Sequence, residues 1–204
     1  MMPTKAIDIV LLCDERMASV AIGANAELVR SCNSEIVLNS RTCLPHISLA
    51  MGCVDTALLG QLESIIRDIA EHSDIGELTV AGVEVTSNRK GEKVSSFSIE
   101  KNPALQGLHE KVMNRSAGLL HRDVEKSMLF GNEPIADSTL NWITNYRVNS
   151  SFENFNPHIT IGYGETPNIS RPIRFKPMKL AICHLGNHCT CRDILAAADI
   201  PRQA

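Results

Sequence analysis

The sequence predicts an α+β fold built on antiparallel sheets. Short runs rich in Ile, Val and Leu alternate with segments whose apolar residues recur at helical spacing, in the order βα βα ββ αα β ββ. Two pairs of strand-like runs are joined by turn signals, Asn88-Arg89-Lys90-Gly91 and Leu185-Gly186-Asn187, as hairpins are. Composition fits a globular chain: 204 residues, 44% hydrophobic and 21% charged, which excludes collagen-like, coiled-coil and disordered classes. A chain of this size builds a core without disulfide or metal staples.

The elements follow in order. Ala6–Cys13 is a short apolar strand, and Asp14 then caps a helix running to about Ser31. Asn33 to Thr42 is polar loop. Leu44–Val54 is a second strand, and Asp55 caps a second helix, because Leu58, Leu59, Leu62, Ile65, Ile66 and Ile69 share a helical face. That helix ends before Gly76. Leu78, Val80, Val83 and Val85 mark a strand or strand pair that includes Gly82, with Val94–Ile99 as the return strand. Asn102-Pro103 opens a third helix, since proline fits a first helical turn, and it runs to near Leu120. Asp137 to about Tyr146 is a fourth helix, with Trp142, Ile143 and Tyr146 read as core. Asn156–Tyr163 is a strand, Pro167 to Pro177 is proline-punctuated chain, and Lys179–His184 with Cys191–Ala197 is the closing hairpin.

Several function classes are disfavoured at once. The net charge is −3, with 20 Lys+Arg against 23 Asp+Glu, whereas a protein gripping long nucleic acid through many phosphates carries a basic excess. Aromatic residues are 4%, too few for a broad base-stacking platform. No run reaches the length of a membrane span, and the start lacks the pattern of a signal peptide. The seven cysteines form no even framework, so the expectation is free thiols in a reducing compartment and a soluble, cytoplasmic protein with no membrane partner and no obligate protein partner.

One near-repeat carries chemistry. Pro45-His46-Ile47-Ser48-Leu49 is echoed by Pro157-His158-Ile159-Thr160-Ile161, each on a strand-like run. Residues two apart on a strand share a face, so each copy presents an imidazole beside a hydroxyl while the aliphatic residues anchor the opposite face. Imidazoles titrate near neutrality, so one can serve as base and the other as acid. The hydroxyls can donate to phosphoryl oxygens without adding charge. These parts suffice for in-line displacement at a phosphodiester, and such a pair needs neither metal nor cofactor.

On these motifs the sequence resembles the 2H phosphoesterase superfamily, which includes the LigT-like bacterial RNA 2′-5′ ligases and the cyclic nucleotide phosphodiesterases of plants and fungi. The resemblance spans the chain in element order and is specific at His46-Ile47-Ser48 and His158-Ile159-Thr160, with Ser48 where threonine is commoner. It implies one domain over residues 1–204 made of two pseudo-symmetric lobes, each an antiparallel sheet flanked by helices, around a central cleft. It implies His46 and His158 as the catalytic pair and Ser48 and Thr160 as phosphate-binding hydroxyls. The implied substrates are 2′,3′-cyclic phosphates, 2′-5′ linkages or ADP-ribose 1″,2″-cyclic phosphate, opened without ATP or metal. Either histidine can be the base. RNA 2′-5′ ligation or end processing is the alternative, and a non-catalytic RNA- or nucleotide-binding protein a third reading.

Other signals are weaker. Phe155, two places before Pro157, is positioned to stack a base or to pack under the loop. His121-Arg122-Asp123 imitates a kinase catalytic loop, but Met128 stands where that loop needs asparagine and no glycine-rich phosphate loop exists. Cys183, His184, His188, Cys189 and Cys191 are of metal-ligand type, in a spacing that matches no standard finger, and would mark a zinc-binding interaction module if occupied. Arg171, Arg174, Lys176 and Lys179 form a basic stretch that either draws RNA toward a cleft or guards a strand edge.

Overall fold

The computed structural model describes residues 3–88 and 90–201. Its strands are β1 (Thr4–Leu12), β2 (His46–Asp55), β3 (Leu78–Ser87), β4 (Lys93–Ile99), β5 (His158–Tyr163), β6 (Ile173–Phe175), β7 (Lys179–Leu185) and β8 (Cys191–Asp199). Its α-helices are α1 (Glu15–Ser31), α2 (Leu59–Glu71), α3 (Pro103–Ser116) and α4 (Asp137–Asn149). The strands form two four-stranded sheets in the orders β2-β1-β7-β8 and β5-β4-β3-β6, antiparallel throughout. The α+β architecture with two antiparallel sheets is therefore present.

Local chemistry explains the boundaries. The Met17 N–H donates to the Asp14 carboxylate at 2.7 Å, and the Leu105 N–H donates to Asn102 Oδ1 at 2.8 Å, satisfying orphan donors at the starts of α1 and α3. Asp55 accepts from Ala57 N–H at the head of a 3₁₀ turn, Thr56–Leu58, that leads into α2. Leu62, Ile66 and Ile69 make the buried stripe of α2, which lies against β7 and β8. Helix α1 lies on β5, and α3 and α4 lie against β2. One buried cluster draws side chains from both sheets and all four helices, including Ile9, Leu49, Leu62, Phe97 and Ile161.

Several sequence expectations need correction. The stretch Pro167 to Pro177 hides strand β6, whose three residues are too few to show periodicity. Leu78–Ser87 is one strand with a register shift between Val80 and Gly82, not a pair. Helix α3 stops at Ser116, short of Leu120. In the turn after β3, Gly91 N–H donates to the Asn88 carbonyl at 2.9 Å with φ at +78°, while Arg89 lies outside the described residues. Trp142 is 49% exposed: Thr139, Ile143 and Tyr146 form the buried stripe of α4, and Trp142 stands beside it on the cleft rim.

Cysteine usage also differs from expectation. Cys183 and Cys191 are joined as a disulfide across β7 and β8, with Cα atoms 5.4 Å apart, so these two are not free thiols. A register shift after His184 brings them together where regular alternation would separate them. Both are fully buried beside Val10 and Ala181. Among the described residues no three potential ligands gather to hold a metal ion, and no helix is long and apolar enough to cross a membrane.

Candidate active site

The two motifs sit on edge strands, β2 of one sheet and β5 of the other, and these edges lie side by side. Strand alternation does what the sequence pattern implies. Ile47 and Leu49, and likewise Ile159 and Ile161, are buried, while His46, Ser48, His158 and Thr160 remain partly accessible. All four polar side chains line one cavity of ≈ 500 Å³.

Both imidazoles are held in the same way. His46 Nδ1 lies 2.7 Å from the Leu44 carbonyl, and His158 Nδ1 lies 2.9 Å from the Asn156 carbonyl, each two residues upstream. A carbonyl only accepts, so each Nδ1 carries the proton, and each Nε2 is left as the reactive nitrogen. The first clamp has a further support, because the Leu44 N–H donates to the Cys191 carbonyl at 3.0 Å.

The surroundings of the two histidines differ. Burial lowers the His46 pKa to about 4, against a smaller upward pull from the Leu44 carbonyl and a further lowering by His158. Beneath the first motif lies Asp8 of β1, fully buried. Its Oδ2 shares a 2.6 Å hydrogen bond with Ser48 Oγ and lies 3.7 Å from His46 Nε2. Tyr146 of α4 donates to the Ser48 carbonyl at 3.3 Å. The second motif instead pairs with serines: His158 opposes Ser98 and Thr160 opposes Ser96 on β4.

A register shift opens β5 behind the second motif. Asn25 of α1 donates to the Ile36 and Ile161 carbonyls and accepts from the Leu38 N–H, all at 2.8 Å. Gly162 has φ at +153°, and a Cβ there would stand 2.9 Å from Asn25 Nδ2, so a side chain at this position would displace that clasp.

The remaining sequence candidates divide between the cavity and other places. Phe155 is 3% exposed and borders the cavity, with one face of its ring already covered by His109, stacked at 3.9 Å and 2° between planes. Arg174 of the edge strand β6 pairs with Glu77, and Lys179 of the interior strand β7 pairs with Asp199, both away from the cavity lining. His121 is exposed after α3, its backbone bridged to Cys53. His188 leaves the cysteine cluster to line the cavity, 3.0 Å from Tyr163 Oη and 3.1 Å from Glu35.

Sequence reading missed Asp8, Tyr146, Trp142 and His109. Asp8 did leave a signal, an acid inside an apolar strand run. His109 is completely buried; its Nδ1 bonds the Leu49 carbonyl at 2.9 Å and its Nε2 accepts the Phe152 N–H at 2.8 Å. It thereby ties the strand after the first motif to the loop before the second.

These buried histidines predict an acid limb of stability. Burial lowers His109, like His46, to about 4 from an ordinary 6.5. Between those values the unfolded chain binds protons that the folded chain refuses, so stability present above pH 6.5 is lost as pH falls toward 4. Burial lowers His184 and His188 in the same sense, and Asp8, raised by burial, acts in the opposite one, so the lowered imidazoles outnumber the carboxyl. The expected result is a urea midpoint that falls as pH drops from 6.5 toward 4, and midpoints that stay level across this range would contradict it.

The comparisons with known proteins bear on this arrangement. No curated protein sequence matches the chain. Among solved structures, TT0787 of Thermus thermophilus superposes with a TM-score of 0.62 at 12% identity, covering 98% of this chain and 100% of that one. Escherichia coli LigT in its apo form superposes with a TM-score of 0.53 at 11% identity, covering 98% and 99%, and its complex with phosphate gives the same values. At such identities the likeness is one of fold. A family model described as the 2′-5′ RNA ligase superfamily matches residues 39–176, a span that holds both motifs. The chain therefore belongs to the 2′-5′ RNA ligase superfamily, the 2H phosphoesterases.

Proposed function

We propose that the protein is a phosphoesterase that opens a 2′,3′-cyclic phosphate, or cleaves a 2′-5′ phosphodiester, of a nucleotide or short RNA by paired-histidine acid–base catalysis. The observation that carries this reading is the matched clamp on His46 and His158, which leaves two Nε2 atoms and two hydroxyls on one cavity. His46, held neutral by burial, takes a proton from water as the water oxygen bonds to phosphorus. The ester P–O bond on the far side breaks, and protonated His158 gives its proton to the departing ribose oxygen. Ser48 and Thr160 hold the non-bridging oxygens. A phosphate monoester leaves, and one proton returns from His46 to His158 through solvent. Both proton transfers are covered by imidazoles, so no metal is required by the balance.

The cavity favours a small substrate. Its volume is in the range of small-molecule sites. Its polar lining is mostly neutral Ser, Thr and Asn side chains beside the three histidines and Glu84, with neither lysine nor arginine among the described residues. Such a site suits a ligand with one charged phosphate rather than a polyanion. Trp142 on the rim offers an aromatic surface for a base.

The test is a panel of nucleoside 2′,3′-cyclic phosphates and 2′-5′-linked dinucleotides incubated with the protein in EDTA, with products resolved by chromatography. Ring opening or cleavage that survives chelation is expected. Failure on every member overturns the hydrolytic reading. The family description favours one further arm: an RNA 5′-hydroxyl end beside the cyclic phosphate, where joining in place of hydrolysis would assign the reverse direction.

A further inference from the structure

We propose that Asp8 is a positioning residue that works as a neutral carboxylic acid: it donates its hydrogen to Ser48 Oγ and so turns the Ser48 hydroxyl into a donor toward the phosphoryl oxygen. This rests on the phosphoesterase reading and adds to it a residue that touches neither substrate nor reacting atoms.

The geometry leads there. Asp8 is wholly buried on a central strand, and its Oδ1 has no hydrogen-bond partner among the described residues. The groups facing it are Ser48 and His46 of β2, Tyr146 of α4 and Cys189 of the turn between β7 and β8. None of these is a fixed cation. Burial pushes both Tyr146 and Cys189 upward, so each faces Asp8 as a neutral group, and His46 is neutral as well. A carboxylate here would leave one oxygen unpaired in a site that offers no compensating charge. His46 Nε2, at 3.7 Å, is beyond hydrogen-bonding range of Oδ2. Burial raises Asp8 well above the usual carboxylate range, against a smaller lowering by Ser48.

The proton's place decides what Ser48 can do. A serine hydroxyl has one hydrogen. If Asp8 is ionised, that hydrogen points inward along the 2.6 Å bond, and only lone pairs face the cavity, where they repel a phosphoryl oxygen. If Asp8 carries the proton, it donates to Oγ along the same bond, and the serine hydrogen is free for the ligand. The second motif has no such arrangement: Thr160 opposes Ser96, not an acid.

Two substitutions separate the neutral acid from an ionised carboxylate that orients His46. In Asp8→Asn the amide N–H can donate to Ser48 as the acid does, and kcat/KM should stay within about threefold of wild type, with the alkaline limb of its pH profile flattened. In Asp8→Ala nothing orients the Ser48 hydroxyl, and kcat/KM should fall about tenfold, with a further fall when Ser48→Ala removes the hydroxyl itself. An Asp8→Asn protein that folds but loses as much activity as Asp8→Ala overturns the proposal. Infrared difference spectra of wild type against Asp8→Asn at pH 7 give an independent reading. A protonated-carboxyl C=O band lost in the variant is expected, and its absence from wild type overturns the neutral acid. If wild type turns over no substrate but shows the band, the phosphoesterase reading fails while the protonation state of Asp8 stands.

Discussion

Alanine at His46 or at His158 is expected to lower kcat for opening a 2′,3′-cyclic phosphate by about 10²- to 10⁴-fold, the range of a lost general acid or base. The two losses should not multiply in the double variant, because each histidine acts on a proton that the other must complement. Their characters should differ. His46 is 14% exposed and clamped to Leu44, so removing it also opens space beneath the cleft and is expected to lower stability. The His158 clamp to Asn156 is exposed where that of His46 is part-buried, so removing His158 should leave stability nearly intact. Steady-state rates in EDTA beside urea unfolding separate the two effects. Turnover within a few-fold of wild type in a folded His158→Ala protein would remove paired acid–base catalysis.

The largest stability effect is expected at a residue outside the cavity. His109→Ala strips the Leu49 carbonyl of its donor and the Phe152 N–H of its acceptor, both buried, and leaves the Phe155 ring without its stacked partner. Two orphaned backbone groups and a cavity together cost about 3–5 kcal/mol. That corresponds to a fall of about 10 °C in Tm for a chain of this length. Activity should drop as well, because the two backbone segments His109 joins lead directly into and out of the motifs. His109→Phe, which keeps a stacked ring and removes both polar partners, should recover part of the loss. A thermal scan in which His109→Ala melts within a degree or two of wild type would show that the loop before β5 is held by other means.

The motif strands were legible because their signals are local. Alternation at His46-Ile47-Ser48 and His158-Ile159-Thr160 writes the exposed and buried faces directly into the sequence, and Asp14 and Asn102 announce their helices by capping chemistry. What stayed hidden depends on tertiary placement. Trp142 sits among hydrophobic neighbours in sequence, yet α4 turns it to the cleft rim, and one helical step decides between core and rim. The Cys183–Cys191 bond depends on a register shift that no spacing rule reports. Asp8 and His109 each combine a polar side chain with complete burial, and only the position of Ser48 or of the Leu49 carbonyl explains why the fold tolerates them. Strand β6 is too short to carry a period of its own.

The placement of both motifs on sheet edges has a bearing on solubility. An open edge offers unpaired backbone groups to any passing strand and is a seed for aggregation. Here the edges β2 and β5 are turned toward each other across the cleft, with α4 lying against β2, so the strands that bear the chemistry are also screened from foreign strands. Of the two outer edges, β6 is three residues long, lies between Pro172 and Pro177, and carries Arg174 with Arg171 and Lys176 flanking it. That leaves β8, nine residues long with an alanine-rich end and Ile194 exposed, as the longer outer edge, closed by Leu44 only where it begins at Cys191.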